Sequence, residues 1–400
     1  MIMDFEFHFT PEQDEFRKEV KAFLNEHGKM PESLGKLGLE EEDMTREQFE
    51  WAKEFRRKLG NKGWYFPTWP AEYGGGGLSS AHEMIINEEL SHYDIPGGAG
   101  TVRLSAPGLM VWGTEEQKQR FLKPLLQGEA NNWQLWTEPD HGSDLAAVET
   151  RAIRDGDEFV VNGTKTFISG SFGPPDYFWM LAVTDPDAPR HRNLGAFFFP
   201  GDLPGITIQR LDMMVRGSQN MVYLDNVRVP QEYLIGEETN GWQVMQATAE
   251  VEHGGAGSID TEDTLTPVLV DFIKEKGTSH AGKNALMKMY LSEKTNRLIG
   301  MRTYWMGQNG KDMTYEGSQN SLVKKMHVWK TGIGTLEVAG PHALLYETAG
   351  GKTELAQRNS ESTHAGGSPE VQKLIIARRI GLSRTKEKAH VSYVGVNKES

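Results

Sequence analysis

The chain of 400 residues contains no cysteine. Disulfides, thiolate zinc sites, cysteine nucleophiles and covalent sulfur links to a cofactor are thereby excluded. Long apolar runs are also missing, and nothing approaches the roughly 20 residues of a membrane-spanning helix. The stretch Met1-Ile-Met-Asp-Phe-Glu carries two acids where a secretory signal carries basic residues. Positive charge is in deficit: 43 Lys and Arg stand against 56 Asp and Glu, a formal net charge of −13. That balance argues against a nucleic-acid backbone or an anionic membrane as the main partner. It does not touch a small anionic ligand, which meets only a local pocket. The expectation is a cytoplasmic protein. Motifs that carry chemistry are scarce as well. There is no Walker loop, and the glycines Gly74 to Gly77 lack the strand-before, helix-after setting of a dinucleotide fingerprint. No histidine pair has metal-ligand spacing on a helix, so no metal is expected, and no hydroxyl residue sits on a nucleophile elbow.

What is present has a clear order. At about 150 residues per domain the length suggests two or three domains. Thr10-Pro-Glu-Gln13 is a helix start, with Thr as N-cap, Pro first and Gln three residues after the cap. Apolar stripes follow at Phe16, Val20, Phe23 and Leu24 and at Phe49, Ala52, Phe55 and Leu59, and Thr114-Glu-Glu-Gln117 repeats the capping signature. From Trp133 the period shortens. "EFVVNGTKTFISG" reads as two β runs joined by a hairpin at Asn162-Gly163, and further strand-like runs follow as far as "MVYLDNVRVP". The helical period returns from Gly241. The expected fold is α+β and multidomain: a helical domain over 1–130, a β-barrel or sandwich domain over 131–237, and a helical bundle over 238–400.

Ahead of these β runs lies "QLWTEPDHGSD", Gln134 to Asp144, which begins as an apolar strand and breaks into a turn. A plain turn needs a Gly or a Pro; this one adds a Trp-Thr pair before and a Gly-Ser-Asp after. The Thr137 hydroxyl and the loop N–H groups suit a flat ring with polar edges, with Trp136 as an apolar flank. Thr166-Phe-Ile-Ser169 offers a second aromatic wall and hydroxyl. Flavins need that combination of edge donors and apolar surface. A β-domain turn in which Thr and Ser cap backbone groups explains the same residues.

These residues also stand in a recognisable series. Thr137-Glu-Pro with Gly142-Ser-Asp144, then "NGTKTFIS" (Asn162 to Ser169), "EYGGGGLS", "GTEEQKQRFLKPLLQGE", "VRVPQEYLIGEETNGW" and "HAGGSPEVQKLIIARR" all occur in the order of one family. The chain resembles the acyl-CoA dehydrogenases over nearly its whole length. The resemblance implies an N-terminal helical domain, a central β domain and a C-terminal four-helix bundle. It implies FAD between the β domain and the bundle, with the ADP half reaching a neighbouring subunit of a dimer or tetramer. By position, Trp136, Thr137, Phe167 and Ser169 would contact the flavin ring. Ser143, beside Gly142 in the same loop, would face the flavin phosphates or the CoA thioester, and Ser368 and Glu370 the adenosine side. The implied reaction removes an α-proton and a β-hydride from an acyl-CoA thioester, with electrons passing to an electron-transferring flavoprotein.

Such a reaction needs a desolvated carboxylate as base and donors on the thioester oxygen. In many members the base is a glutamate in the C-terminal loop, where this chain has Gly366. A second family arrangement puts it on the first bundle helix, where this chain has Glu252 in "AEVEH". The resemblance thus assigns the base to Glu252 and one thioester donor to the Gly366 N–H. A solvated helix glutamate is the alternative. The chain also departs from the pattern. His253 stands where an arginine follows the base, and the "R-x-x-F-G" segment that serves the neighbouring subunit's FAD is missing. Lys283 lies near the equivalent place, either as a substitute cation or as a solvated lysine. A bacterial subset lacks the same segment, and some of its members are mixed tetramers with one catalytic and one degenerate subunit. A base on the bundle helix, with Gly366 and Gly367 in place of the usual glutamate, favours a bulky or α-branched acyl chain. The competing functions are a flavin monooxygenase or oxidase on the same fold and a non-catalytic subunit.

Overall fold

The computed structural model describes residues 10–35, 44–93, 95, 101–214, 218–252, 263, 265–308, 311, 313–360, 364 and 366–383, with the backbone alone for 250–252, 307 and 308. The helices α1 (Pro11–His27), α2 (Arg46–Asn61), α3 (Ser80–Leu90), α4 (Val102–Trp112), α5 (Glu115–Gln117) and α6 (Lys123–Leu126) come first. A π-helical stretch, Lys118–Leu122, joins the last two. The strands are β1 (Asn132–Leu135), β2 (Arg151–Asp155), β3 (Glu158–Ser169), β4 (Tyr177–Val183), β5 (Leu194–Pro200), β6 (Ile206–Leu211), β7 (Gln219–Pro230) and β8 (Leu234–Ile235). After them come α7 (Gly241–Glu252), α8 (Thr266–Lys276), α9 (His280–Gln308), α10 (Glu316–Ala339), α11 (Lys352–Asn359) and α12 (Pro369–Arg379). The order is helical, β, helical, as the sequence implies.

Local chemistry accounts for the helix starts. The Thr10 hydroxyl accepts the Gln13 N–H while the Gln13 side chain accepts the Thr10 N–H, and Thr114 and Gln117 repeat the exchange. Each box satisfies amide donors that a helix start leaves open. The strands form one mixed sheet in the order β6-β7-β3-β2-β4-β5-β8, with β1 parallel to β4. Phe178 to Ala182 of β4 are buried on both faces, which is why that strand reads as an unbroken apolar run rather than an alternation.

The hairpin expected at Asn162-Gly163 is not there: β3 runs straight through both residues. The turn lies six residues earlier, at Gly156-Asp157, with Asp155 opposite Glu158. Asn162-Gly163 instead forms a bulge against β7, where the register shifts between Val161 and Gly163. A Cβ at Gly163 would lie 2.3 Å from Thr150 Oγ1. Close backbone approach, not turning, is what the glycine serves. Two helices were also not anticipated, α4 with Pro107 in its interior and the short α11.

The chain divides into two compact units, each described by itself. One holds α1 to α6, the sheet and α7 as far as Val251; the other holds α8 to α12. In the first, Phe121, Leu122 and Leu125 pack with the sheet residues and with Val244 and Met245 of α7 in one core. Val20, Leu24, Phe55, Leu59, Ile85 and Ile86 make a smaller core among α1, α2 and α3. In the second unit α9 packs along α10, and Leu269, Ala285, Met289 and Val338 form the core.

Candidate active site

The loop that follows β1 is held by a buried ion pair. Lys165 of β3 is fully buried, and its Nζ donates to Glu138 Oε1 at 2.8 Å, Leu181 O at 2.8 Å and Trp136 O at 3.3 Å. Glu138 accepts two further N–H groups, from Glu149 at 2.6 Å and Thr150 at 2.9 Å. Burial alone would raise the Glu138 carboxyl, but the Lys165 charge and the Glu149 and Thr150 donors outweigh it and hold the group below its ordinary value. Burial pulls Lys165 down from its ordinary value, with Glu138 opposing.

β3 bulges a second time between Lys165 and Ile168. Lys165 and Thr166 are consecutive and both buried, and the exposed Phe167 that follows them breaks the alternation of the strand. The bulge throws Phe167 outward: it has φ +55° and is 55% exposed. The Asn220 amide closes the distortion by donating to Ile168 O and Gly170 O at 3.0 and 2.8 Å. Thr166 N–H donates to Thr137 O at 2.9 Å, joining the bulge to the loop. Glu138 and His141 exchange backbone hydrogen bonds that tighten the turn, and Asp144 pairs with Arg190.

Several of the sequence-predicted residues therefore come together. Thr137 is half-buried beside Gly142, whose added Cβ would lie 3.9 Å from Thr137 Cγ2. Gly142 and Ser143 are exposed. Thr137 reaches Phe167 through the Thr166 hydrogen bond, and Ser169 follows two residues on, its hydroxyl accepting the Gln219 amide N–H at 3.0 Å. Trp136 is different. Its indole belongs to the sheet core, so the aromatic surface offered here is that of Phe167.

Lys283, Gly366, Ser368 and Glu370 lie in the second unit. Lys283 is an exposed residue of α9. Gly366 and Gly367 both have positive φ, and Gly366 O accepts the Gln372 amide N–H at 3.1 Å. Ser368 is the N-cap of α12, its hydroxyl accepting the Val371 N–H. Glu370 is exposed in the first turn, its carboxyl held below the ordinary value by its own backbone N–H and by Ser368. Glu252 ends α7; its side chain and the whole of His253 lie outside the described residues.

The arrangement accepts a planar, polar-edged group beside Phe167. No described group takes the Thr137 N–H, and the buried Gln219 Oε1, next to the Ser169 hydroxyl, has no partner among the described residues. Both fit the flavin that the sequence implies, one as a donor to a ring edge and one as an acceptor for a hydroxyl. Sequence reasoning missed Glu138, Lys165, Gln219 and Asn220. Lys165 had a signal: a cation one residue from an apolar run inside a motif already singled out.

Comparison with known proteins bears on the same residues. Residues 10–129 match the acyl-CoA dehydrogenase N-terminal domain and residues 134–227 the acyl-CoA dehydrogenase middle domain. Acyl-CoA dehydrogenase IpdE1 of Mycobacterium tuberculosis is 29% identical over 383 residues, which is 93% of this chain and 98% of that protein. The mitochondrial isovaleryl-CoA dehydrogenase of Pongo abelii is 30% identical over 315 residues, 74% of this chain and 70% of its own. Among solved structures, a variant of the Tcur3481-Tcur3483 steroid ACAD superposes with a TM-score of 0.77 at 26% identity, covering 94% of this chain and 99% of that one.

Proposed function

The chain belongs to the acyl-CoA dehydrogenase family, and from that premise we propose that it carries out FAD-dependent α,β-dehydrogenation of an acyl-CoA thioester with Glu252 as base. The observation that carries the reading is the loop and bulge of the first unit: Thr137 O takes the Thr166 N–H, no described group takes the Thr137 N–H, and the Phe167 ring is exposed. FAD, when bound, supplies the acceptor for the two electrons leaving the β-carbon.

The chain's own residues do the rest. Thr137, Gly142, Ser143, Phe167 and Ser169 hold the ring and its nearer phosphate, with Trp136 behind them in the core. Ser368 and Glu370 serve the adenosine side, and Lys283 stands in as a cation toward the FAD pyrophosphate of the neighbouring subunit. Glu252 takes the α-proton, and a dry setting raises the basicity of such a carboxylate. The Gly366 N–H donates to the thioester oxygen, where charge grows as the proton leaves.

A bulky or branched acyl chain is the favoured substrate class. Glycine at 366 and 367 puts no side chain where many family members carry a glutamate, and relatives named for isovaleryl-CoA and for steroids support the class. Electrons pass to an electron-transferring flavoprotein. No helix of the described residues is long and apolar enough to cross a membrane. Assembly into a dimer or tetramer is supported by an exposed apolar stripe on α9 and α10. The missing R-x-x-F-G segment favours a mixed tetramer in which a partner subunit completes the cofactor contacts.

The test is a visible spectrum of the purified protein, then anaerobic addition of straight, branched and cyclic acyl-CoA thioesters. Bleaching of a yellow protein by one of them, abolished by Glu252→Gln, is the expected result. A colourless protein that takes up no added FAD would defeat the proposal for the chain on its own.

A further inference from the structure

We infer that Lys165, held by Glu138, is a positioning residue that fixes the direction of the Trp136–Thr137 peptide and so aims the Thr137 N–H at the cofactor. The inference rests on the FAD reading above. Lys165 has three N–H donors, and all three are used. Two of the acceptors, Trp136 O and Glu138 Oε1, flank Thr137 in sequence; the third, Leu181 O, belongs to the central strand β4. One cation thus ties the residues on either side of Thr137 to a strand buried on both faces.

The consequence follows from peptide geometry. The Trp136 carbonyl is turned inward to Lys165. A trans peptide carries its C=O and N–H on opposite sides, so the Thr137 N–H is turned away from the core. The next peptide is fixed as well, because Thr137 O accepts the Thr166 N–H at the bulge that presents Phe167. The outward donor and the outward ring therefore have a common support. An apolar side chain at 165 would fill the same space without the desolvation cost of a buried charge pair. It would not orient a carbonyl.

The decisive variant is Glu138→Leu with Lys165→Met, which removes both charges and keeps an apolar filling. Removing both charges leaves no uncompensated buried ion, while the Glu149 and Thr150 N–H groups and the Trp136 and Leu181 carbonyls lose a partner, so a loss of folding stability is expected and is read separately from cofactor binding. Three quantities are read: urea unfolding of the apoprotein, FAD affinity from flavin fluorescence quenching, and the visible bands of the bound flavin. The expected result is a folded protein whose FAD Kd is weaker by about tenfold or more, with flavin bands moved toward those of free FAD. A folded variant with wild-type Kd and wild-type bands overturns the inference. Should that variant not fold, Glu138→Gln with Lys165→Gln is read against the same criteria, and failure of both to fold assigns the pair to folding alone and overturns the positioning role. A wild-type protein that takes up no FAD is a separate result: it defeats the cofactor reading itself, and this inference with it.

Discussion

Lys165 and Gly163 sit two residues apart in β3, and each is chosen by a neighbour rather than by the strand it belongs to. Lys165 is charged at a fully buried position because Glu138 and two carbonyls surround its Nζ. Lys165→Met alone leaves the Glu138 carboxylate buried without its cation, and a loss of about 3–5 kcal/mol is expected in urea unfolding. The same pair sets an acid limit. The folded-state pKa of Glu138 is below its ordinary value of 4.5, so its contribution is fully present above that value and is lost as pH falls through the folded value. Wild type should therefore lose more stability on acidification below pH 4.5 than Glu138→Gln does; parallel losses in the two proteins would mean that Glu138 is not the group responsible. Gly163 faces Thr150 at a distance that admits no Cβ. Gly163→Ala should cost about 1–3 kcal/mol through overpacking, and Thr150→Gly should restore part of it, a coupling that a double-mutant cycle measures directly. The local sequence misread Gly163, and for Lys165 it held only a cation beside an apolar run, with no sign of the partner. Asn-Gly is the strongest hairpin signal there is, yet the contact that needs the glycine comes from residue 150, outside the strand.

Whole elements show the same division between what is local and what is not. The starts of α1 and α5 were legible because their signal is carried within four residues, Thr10 with Gln13 and Thr114 with Gln117. β4 was legible because burial on both faces demands an unbroken apolar run. Helix α4 was not. It carries Pro107 and Gly108 in its interior, both poor helix formers, and it is stabilised by what it lies on. A Cβ at Gly108 would approach Trp179 Cζ2 of β4 to 2.8 Å, so the glycine lets helix and sheet come into contact. Gly108→Ala should raise intrinsic helix propensity and yet destabilise the protein, by about 1–3 kcal/mol. Trp179→Phe in the same chain should recover some of that loss. A stabilised Gly108→Ala would show that the helix does not press on the sheet.

At the scale of the molecule, the second unit keeps an apolar face. Met287, Tyr290, Leu291 and Leu298 recur at helical spacing on α9, and Trp329, Ile333 and Leu336 do so on α10; all are exposed. Pairing Leu291→Glu with Ile333→Glu should shift the proposed oligomer to a smaller species in analytical ultracentrifugation while leaving helix content unchanged; an unaltered sedimentation coefficient would rule out this face as an assembly surface. The sequence by itself determined the three-part order, the helix starts, the buried central strand and, through a run of motifs, the family. Each of these is written in neighbouring residues or in their succession, so a linear reading recovers it. The tertiary structure alone decided where β3 turns and where it bulges, why a lysine is buried beneath the Thr137 loop, and that Phe167 rather than Trp136 offers the open aromatic face. Those features depend on pairs such as Glu138 with Lys165, Thr150 with Gly163 and Gly108 with Trp179. Their partners lie between 13 and 71 residues apart, and the close contacts that give each pair its meaning exist only after the chain has folded.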